Sequence, residues 1–266
     1  MIRGLYTSAW SMIANSKKLD VITNNLANVN TAAFKKDTVV FESFPELLTK
    51  RIHDTESPMG SSPNIGTMEL SSDVGEIFTY YTQGQLSQTN NNFDMAISDD
   101  NTGETTKPGF FTIGVLDPND NNNLKEYYTK DGEFVLNQNN QLVTKDGNYV
   151  MGENGPIIME NGDFAVDSRG NIVQNGEIID TLRIAQFSDA TKLRKYGDNL
   201  VQNDGSDVEE FSGTIKQGYT EESNVNVITE MVDMITVMRA YEANQKVLQA
   251  QDSTLEKAVN EVGVVR

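Results

Sequence analysis

The sequence predicts an α+β fold in which long N- and C-terminal helices form a coiled-coil layer and the centre is an all-β domain of short antiparallel strands. Of the 20 glycines, 18 fall between Pro45 and Gly218, as do all six prolines, so helix-interrupting residues are almost absent from both ends. Each end instead carries apolar residues at intervals of seven, and turn sequences recur through the middle. These three patterns divide the chain into helix, β domain and helix.

A first helix is predicted for residues 3–29. Its apolar residues recur every seven positions, which keeps one side of a slightly underwound helix facing a partner. The helix is expected to end within residues 24–36, NNLANVNTAAFKK, because asparagine favours caps and turns over helix interiors. The series consists of Leu5, Met12, Leu19 and Leu26, with Ile22 and Val29 beside it.

A strand is predicted next, from Thr38 to Phe44. Residues 49–75 contain several glycines and prolines, including Pro58 and Pro63, which interrupt regular structure. This stretch is therefore predicted to be an irregular or extended linker.

The middle of the chain, residues 91–222, is predicted to be β throughout. Pairs such as Asp131-Gly132 supply the positive φ angles of tight hairpins, and short apolar runs such as residues 134–136 lie between these pairs. We therefore expect a meander of short strands. Further strands are expected over residues 181–187 and around residues 196–202.

A second helix is predicted after Ser223, Asn224 or Asn226, any of which can cap it. Its apolar series covers 36 residues, which makes a rod of about 54 Å at about 1.5 Å of rise per residue. Such a series packs either within its own chain or on another chain, and its terminal position favours assembly between chains. The series consists of Val227, Met234, Tyr241, Leu248, Leu255 and Val262, flanked by Met231, Met238 and Val259.

These predictions divide the chain into four segments. Residues 1–36 form an N-terminal assembly helix and signature, and residues 37–90 form an extended linker with strands. Residues 91–222 form the central β domain. Residues 223–266 form a C-terminal assembly helix.

The net charge of −18 is distributed unevenly. Residues 1–36 hold five bases and one acid, and residues 224–266 hold four bases and six acids, so residues 37–223 carry the remaining −20. An acidic body of this kind repels nucleic acid and anionic membranes, and we expect no nucleic-acid partner. The two terminal segments can associate without strong repulsion.

Cysteine is absent, which excludes disulfides, thiolate metal sites and cysteine nucleophiles. No apolar run reaches the roughly 18 residues of a membrane span, and the first residues lack the basic region and apolar core of a secretory signal. We expect no membrane insertion, and export without a cleaved signal peptide if the protein leaves the cytoplasm.

The sequence shows no catalytic, cofactor-binding or metal-binding motif. His53 is the only histidine and is expected at the surface, and the phosphate-binding GxGxxG and GxxxxGK[ST] patterns and the GxSxG nucleophile motif are absent. We therefore expect a protein that is not an enzyme and that has no cofactor. With 39 carboxylates, a pair suited to glycoside hydrolysis would carry no distinctive signal, so a cell-wall glycosidase is the alternative from a different class.

Three stretches of the chain resemble one family, the axial proteins of the bacterial flagellum. Residues 19–37, LDVITNNLANVNTAAFKKD, resemble the N-terminal rod signature, and residues 223–247, SNVNVITEMVDMITVMRAYEANQKV, resemble its C-terminal counterpart. NNFDMAI, PGFFTI and YTKDGEFVLNQNNQLVTKDGNYV, within residues 91–150, are similar to the central β domain of rod and hook proteins. The signature residues are Asn24, Asn25, Leu26, Ala27, Asn28, Asn30, Thr31, Phe34, Arg239, Ala240, Tyr241, Glu242 and Asn244.

The chain departs from the family pattern in two places. Ala33 stands where the family usually has glycine, so the turn there is expected to differ in shape. Residues 98–107, SDDNTGETTK, resemble an insertion between motifs that are usually nearly adjacent.

The resemblance implies a structural subunit of the basal-body rod that self-assembles into a helical tube and transmits torque. It implies as partners further copies of the chain, neighbouring rod and hook subunits and the flagellar type III export apparatus. It also implies a location in the cell envelope, in the periplasm or cell wall. The length of 266 residues resembles the distal-rod branch, and a proximal-rod or hook-type subunit is the alternative within the family.

Overall fold

The computed structural model describes residues 2–50, 64–99, 107–117, 120–160, 162–197 and 199–262. His53 and most of the stretch 98–107 lie outside the described residues. The chain forms two compact units. The first comprises Met1–Leu26, Asp37–Phe78 and Val227–Arg266, and the second comprises residues 27–36 and 79–226.

The first unit combines two long helices with a β-hairpin. Strand β1 pairs with β4, and β2 pairs antiparallel with β3, so the two strand pairs are successive parts of one ribbon. The helices match their predicted positions closely, and β1 confirms the strand predicted over residues 38–44. The elements are α1 (Ile2–Ala27), β1 (Asp37–Ser43), β2 (Leu47–Lys50), β3 (Asn64–Met68), β4 (Ser72–Thr79) and α2 (Val227–Lys257), which continues as a π-helical turn (Ala258–Val262).

The ribbon is more regular than the irregular or extended linker predicted for residues 49–75. Strand β3 lies within that range, β2 ends inside it and β4 begins inside it. Leu47, Leu48 and Thr49 pair with Met68, Thr67 and Gly66, so partners about 20 residues apart satisfy each other's backbone groups. Such pairing between distant residues cannot be predicted from the local content of glycine and proline.

The second unit is mostly β, which confirms the predicted character of the middle of the chain. Its first twelve strands are β5 (Leu86–Gln88), β6 (Met95–Ser98), β7 (Gly109–Asp117), β8 (Asp120–Thr129), β9 (Phe134–Leu136), β10 (Leu142–Thr144), β11 (Tyr149–Gly152), β12 (Gly155–Pro156), β13 (Phe164–Val166), β14 (Asn171–Gln174), β15 (Glu177–Thr181) and β16 (Ile184–Phe187). After a short 3-10 helix (Ala190–Lys192) come β17 (Leu193–Tyr196), β18 (Leu200–Asn203), β19 (Val208–Glu209), β20 (Thr214–Gln217) and β21 (Tyr219–Glu221).

Most of these strands belong to one ten-stranded sheet. Its main path runs β17-β18-β8-β7-β11-β10-β9, with β12 beside β11, β16 beside β7 and β19 beside β16. Strands β13, β14 and β15 form a three-stranded sheet, while β6 pairs with β20 and β5 pairs with β21. All registered pairs of this unit are antiparallel. The predicted meander holds only locally, as in β9-β10-β11 and β13-β14-β15, because β7 pairs with β11 and β16, and β8 pairs with β18.

Turn residues set the short strand lengths. Asn175 and Gly176 have φ angles of 54° and 85° between β14 and β15, which is the backbone of a tight hairpin. Two stretches that were each predicted to be continuous β structure are interrupted in the structure. Residues 181–187 span the end of β15 and all of β16, and the segment 196–202 contains the turn between β17 and β18, where Asn199 has a φ of 56°.

Ala33 takes the backbone conformation that glycine favours. Its φ of 57° is left-handed, and its N–H donates a 2.7 Å hydrogen bond to the carbonyl of Glu221. Ala33 therefore forms this turn at the energetic cost of a left-handed alanine, about 1–2 kcal/mol.

Two apolar cores stabilise the second unit. The larger core lies between the main sheet and the strands packed on it, and the smaller one lies around Phe110 and Phe187. The larger core consists of Met95, Ile97, Phe111, Ile113, Phe134, Leu142, Val150, Ile157, Met159, Phe164, Ile172, Leu182 and Ile215.

Candidate assembly interface

In the first unit, α1 and α2 lie antiparallel beside each other. Near the end of α1, Nδ2 of Asn25 donates a 3.2 Å hydrogen bond to Oε2 of Glu230, which lies in the first turns of α2. At the other end of the pair, a Cβ built on Gly4 would fall 2.4 Å from Nε2 of Gln251. The end of the Gln251 side chain therefore lies directly against the backbone of Gly4.

One side of α2 is covered within its own chain. Apart from the half-buried Asp233, its buried and half-buried residues follow each other at alternating steps of four and three, the spacing of a seven-residue repeat. This side contains Glu230 and Gln251, so it faces α1. The residues are Glu230, Met234, Val237, Tyr241, Asn244, Leu248, Gln251, Leu255 and Ala258. Four members of the predicted series are thus half-buried in the single chain, and the side chain of Val262 lies outside the described residues.

The opposite side of α2 is apolar and exposed over its first three turns. At about 3.6 residues per turn these side chains form one band, and they are 38–75% exposed. We call this band the α2 apolar face; it consists of Val227, Ile228, Met231, Val232, Ile235 and Met238. Further along the helix the same side carries exposed polar residues, including Glu242, Lys246 and Gln249. Val259 is also exposed, near the end of the helix.

The N-terminal series is largely covered. Ile22 is buried, and Leu5, Met12, Leu19 and Leu26 are half-buried. The only strongly exposed large apolar residues described in α1 are Tyr6 and Ile13.

The hairpin packs along α1. The ring of Trp10 meets Phe44 edge to face, with ring centroids 5.1 Å apart. The Thr7 hydroxyl donates a 2.8 Å hydrogen bond to the carbonyl of Leu70, and Lys17 forms a 3.0 Å ion pair with Asp73. These contacts order the ribbon against the helix.

The same hairpin exposes a second group of large apolar side chains. They are 41–66% exposed although they lie in or beside strands, where alternation would bury every second residue. We call them the hairpin apolar residues; they are Val40, Phe41, Leu47, Leu48, Ile65 and Ile77.

Some of the N-terminal signature residues join neighbouring segments through hydrogen bonds. Asn25 is buried, and its side chain makes two hydrogen bonds to the backbone of Asp37, of 2.8 Å and 3.0 Å, besides its bond to Glu230. The Thr31 hydroxyl donates a 3.1 Å hydrogen bond to Oδ1 of Asn28. Asn25 thereby joins the end of α1, the start of β1 and the start of α2.

The remaining signature residues have mixed exposure. Phe34 is buried, with Nζ of Lys195 4.4 Å from its ring centroid. In α2, Tyr241 and Asn244 are half-buried on the side facing α1. The other members of the signature that are exposed are Asn24, Ala27, Asn30, Arg239, Ala240 and Glu242.

Four buried charges form a network in the second unit. Lys35 pairs with Glu221, and Lys130 pairs with Asp99 and lies 3.9 Å from Glu221. Glu221 also accepts a 2.7 Å hydrogen bond from the N–H of Gly84, and Lys35 donates one of 2.8 Å to the carbonyl of Thr82. Burial, followed by the repulsion of Lys130, lowers the pKa of Lys35 to about 8.

Sequence reasoning missed this network and the buried Glu230. Lys35 and Glu221 lie 186 positions apart, and nothing in their local sequence distinguishes them from surface charges. The only available signal for Glu230 was its position, four residues before Met234 on the spacing of the predicted series.

The pKa of one aspartate in the second unit lies well above its ordinary value. Asp131, in the turn before β9, is largely buried, and burial raises its pKa to about 6 although its Oδ1 accepts a 3.0 Å hydrogen bond from the N–H of Glu133. The native state therefore binds an additional proton between about pH 4 and 6, so this residue lowers the stability of the folded chain as the pH rises through that window.

Asp131→Asn is expected to raise the free energy of unfolding at pH 7 by about 1–3 kcal/mol, since it removes the buried charge and keeps an acceptor for Glu133. The gain should disappear below about pH 4, where the unfolded aspartate is also protonated. Urea denaturation at both pH values measures the effect. Asp146→Asn, in an exposed turn, is the control, and an equal gain in both variants at pH 7 would show that burial is not the cause.

The described residues contain no group of three or more histidine, cysteine, aspartate or glutamate side chains placed to hold a metal ion. No described helix has the length and apolar character of a membrane span. A cavity of about 520 Å³ in the second unit has Leu182, Ile184 and Phe211 among its lining residues, together with Glu153 and Glu210.

Three family models match successive parts of the chain. A model described as "Flagella basal body rod protein" matches residues 5–35, and one described as "Flagellar hook protein FlgE/F/G D1 domain" matches residues 107–174. A third, "Flagellar basal body rod FlgEFG protein C-terminal", matches residues 216–261.

Curated relatives match over nearly the whole length. The flagellar hook-basal body complex protein FlhO of Bacillus subtilis is 32% identical over 278 residues, with 100% of both chains covered. The flagellar basal-body rod protein FlgG of Buchnera aphidicola subsp. Schizaphis graminum is 34% identical, covering 97% of this chain and 98% of the relative. The flagellar basal-body rod protein FlgF of Caulobacter vibrioides is 27% identical, with 100% of both chains covered.

Proposed function

Since this chain belongs to the flagellar basal-body rod family and is a structural subunit of the rod, we propose that its copies assemble through their terminal segments into a helical tube that transmits torque from motor to hook. A shaft under torque needs subunits joined by extensive buried contacts. Each large apolar side chain that becomes fully buried contributes about 1.5–3 kcal/mol.

The α2 apolar face is the observation that carries this proposal. Six neighbouring apolar side chains on one helix side are exposed, although water contact with such a surface is unfavourable. The six side chains together expose roughly 500 Å², which is at the upper end of the apolar patches found on monomeric proteins. One side of a standard protein interface buries about 800 Å², and the apolar share of that area is close to the exposed surface of this face. A partner that covers this face would stabilise the assembly.

We further propose that the terminal helices form a coiled-coil layer of the tube. The four-three spacing of the covered side of α2 and its antiparallel partner α1 support this arrangement. The half-buried series from Met234 to Leu255 would hold the pair together. Val227, Met231 and Met238 would then be the members of the predicted interface that contact other copies.

The proposed partners are further copies of this chain, neighbouring rod and hook subunits and the flagellar type III export apparatus. We propose that the protein lies in the distal rod, within the cell envelope. The length of the chain and the number of relatives named FlgG support the distal rod, and the proximal rod is the alternative.

We propose that the subunit has no catalytic activity. A glycosidase would need two carboxyl groups facing each other across a pocket, one of them with a raised pKa. Asp131 has a raised pKa but is not among the residues lining the 520 Å³ cavity. The membership of a structural family supports the same conclusion.

Ile235→Asp is expected to block polymerisation and to leave the folded monomer intact. An aspartate buried in an apolar contact costs several kcal/mol, so the concentration needed for polymer growth should rise at least about 100-fold. Ile235 suits the test because it is half-exposed, whereas Met234→Asp would also disrupt the covered side of α2. Sedimentation and electron microscopy measure polymer, and circular dichroism measures the fold.

Gln249→Asp is the matched control, since it places the same charge on the polar half of the same helix side. It should polymerise like the unmodified chain. Normal filaments from Ile235→Asp would contradict a role of the α2 apolar face in assembly.

A further inference from the structure

Two methionines lie on the α2 apolar face. Met231 and Met238 are one seven-residue repeat apart, so they lie on the same side of the helix, and each is 49% exposed. Because the chain has no cysteine, methionine is its only sulfur-containing residue. The other methionines that the structure describes are half-buried or buried; they are Met12, Met68, Met95, Met151, Met159 and Met234. The α2 apolar face therefore carries the two most exposed methionines of the described residues.

Exposure to solvent decides which methionine reacts with a peroxide. Hydrogen peroxide transfers one oxygen atom to the thioether sulfur and leaves as water, so the sulfur loses two electrons and becomes a sulfoxide. Met95 and Met159, in the larger core of the second unit, are only 0% and 2% exposed. Mild oxidation should therefore modify Met231 and Met238 first and leave the core of the second unit intact.

The sulfoxide changes the chemistry of the face. A thioether is apolar, whereas a sulfoxide is polar and accepts hydrogen bonds. Burying such a group without a hydrogen-bond donor is unfavourable, so a contact that covers the face becomes weaker at both positions. The other four side chains of the face are aliphatic and supply no donor; they are Val227, Ile228, Val232 and Ile235.

We propose that Met231 and Met238 form an oxidation-sensitive site, and that a subunit with sulfoxides at both positions does not join the polymer. The inference rests on the proposed self-assembly through the α2 apolar face and adds a chemical control of that contact. An assembled subunit is protected, because the same contact excludes the oxidant from both sulfur atoms. Methionine sulfoxide reductases restore the thioether, with the oxygen released as water and a dithiol oxidised to a disulfide.

The purified monomer is treated with hydrogen peroxide, and peptide mass spectrometry locates each sulfoxide. Met231 and Met238 should be oxidised at least about tenfold faster than Met159. The concentration needed for polymer growth, measured by sedimentation, should rise at least about tenfold. Methionine sulfoxide reductases A and B with a dithiol should restore the original concentration. In polymer formed before the treatment, both methionines should be oxidised at least about tenfold more slowly than in the monomer.

Two variants identify the sulfur atoms responsible, and each is compared with its own untreated sample. In the double variant Met231→Leu with Met238→Leu, peroxide should not change the concentration needed for growth, since leucine has no sulfur to oxidise. Met234→Leu alters the half-buried methionine on the side facing α1 and should keep the rise seen in the unmodified chain.

The outcomes that overturn the inference differ from one another. An equal rise in the double variant would show that the sensitive group lies elsewhere. Normal polymerisation of the doubly oxidised chain, or equal oxidation of the two methionines in monomer and polymer, would refute the inference and leave self-assembly standing. If the untreated chain forms no polymer under any assembly condition, the proposed self-assembly fails, and the inference fails with it.

Discussion

Replacing Glu221 with leucine should lower the free energy of unfolding of the second unit by about 3–5 kcal/mol. Glu221 is buried, pairs with Lys35 and lies 3.9 Å from Nζ of Lys130. Its loss leaves two buried ammonium groups with Asp99 as the only acid of the network, and the N–H of Gly84 loses its acceptor. Uncompensated burial of a charge accounts for most of the expected change.

Two further variants separate this cause from a loss of packing. The double variant Lys35→Met with Glu221→Leu removes a charge of each sign and should recover much of the stability, because Lys130 keeps Asp99. Lys107→Met breaks the exposed pair with Glu209 and should change stability by no more than about 1 kcal/mol. A double variant no more stable than Glu221→Leu alone would refute the electrostatic explanation. Urea denaturation followed by circular dichroism measures all three.

Gly132→Ala should destabilise the second unit by about 3 kcal/mol or more, through a backbone overlap. A Cβ at this position would lie 1.6 Å from the carbonyl oxygen of Met95. The same segments are joined by a 3.0 Å hydrogen bond from the N–H of Met95 to the carbonyl of Gly132, and Met95 is fully buried in the larger core. The overlap can be relieved only by moving the backbone of one segment.

Gly147→Ala is the control for this substitution. Gly147 has a φ of 86° and open space around its Cβ position, so alanine there meets only the cost of a left-handed backbone, about 1–2 kcal/mol. Thermal and urea denaturation compare the two variants. An equal loss in both would show that the close approach of Gly132 to Met95 has no energetic consequence.

Local sequence patterns predicted the elements whose causes are local. The asparagine-rich stretch 24–36 placed the end of α1 within two residues of Ala27, because capping side chains compete with the helix over a few positions. The Asn-Gly and Asp-Gly pairs predicted part of the turns: Asn175 and Gly176 adopt positive φ between the paired strands β14 and β15. Asp131-Gly132 has no positive φ and connects β8 to β9, which do not pair, so the hairpin predicted there was wrong.

Features that depend on distant partners were less predictable. The pairing of β2 with β3 was not predicted for the stretch described as an irregular or extended linker, because that pairing joins distant residues and does not depend on local composition. The seven-residue series of α2 was correctly placed on a helix, but spacing alone left open whether the partner was α1 or another chain. The structure places Tyr241 and Leu248 on the side facing α1, whereas the exposed band includes Ile228 and Ile235, which the series omits.

The predicted interface residues and the exposed apolar face of α2 therefore lie on the same helix but coincide only in part. Apolar spacing identified the C-terminal helix, and Val227, Met231 and Met238 are among its exposed residues. The buried charges could not be predicted, since Lys35 and Glu221 differ from surface lysines and glutamates only in the segments that surround them.

The hydrogen bond between Asn25 and Glu230 also affects the folding kinetics. It joins residues 205 positions apart, and the pair of Lys35 with Glu221 spans 186. Contacts of such sequence separation form slowly, because a long loop must close before they contribute. On a ribosome, Asn25 and Lys35 must wait for these two partners until nearly the whole polypeptide has been synthesised, whereas the contacts of α1 with the hairpin can form much earlier.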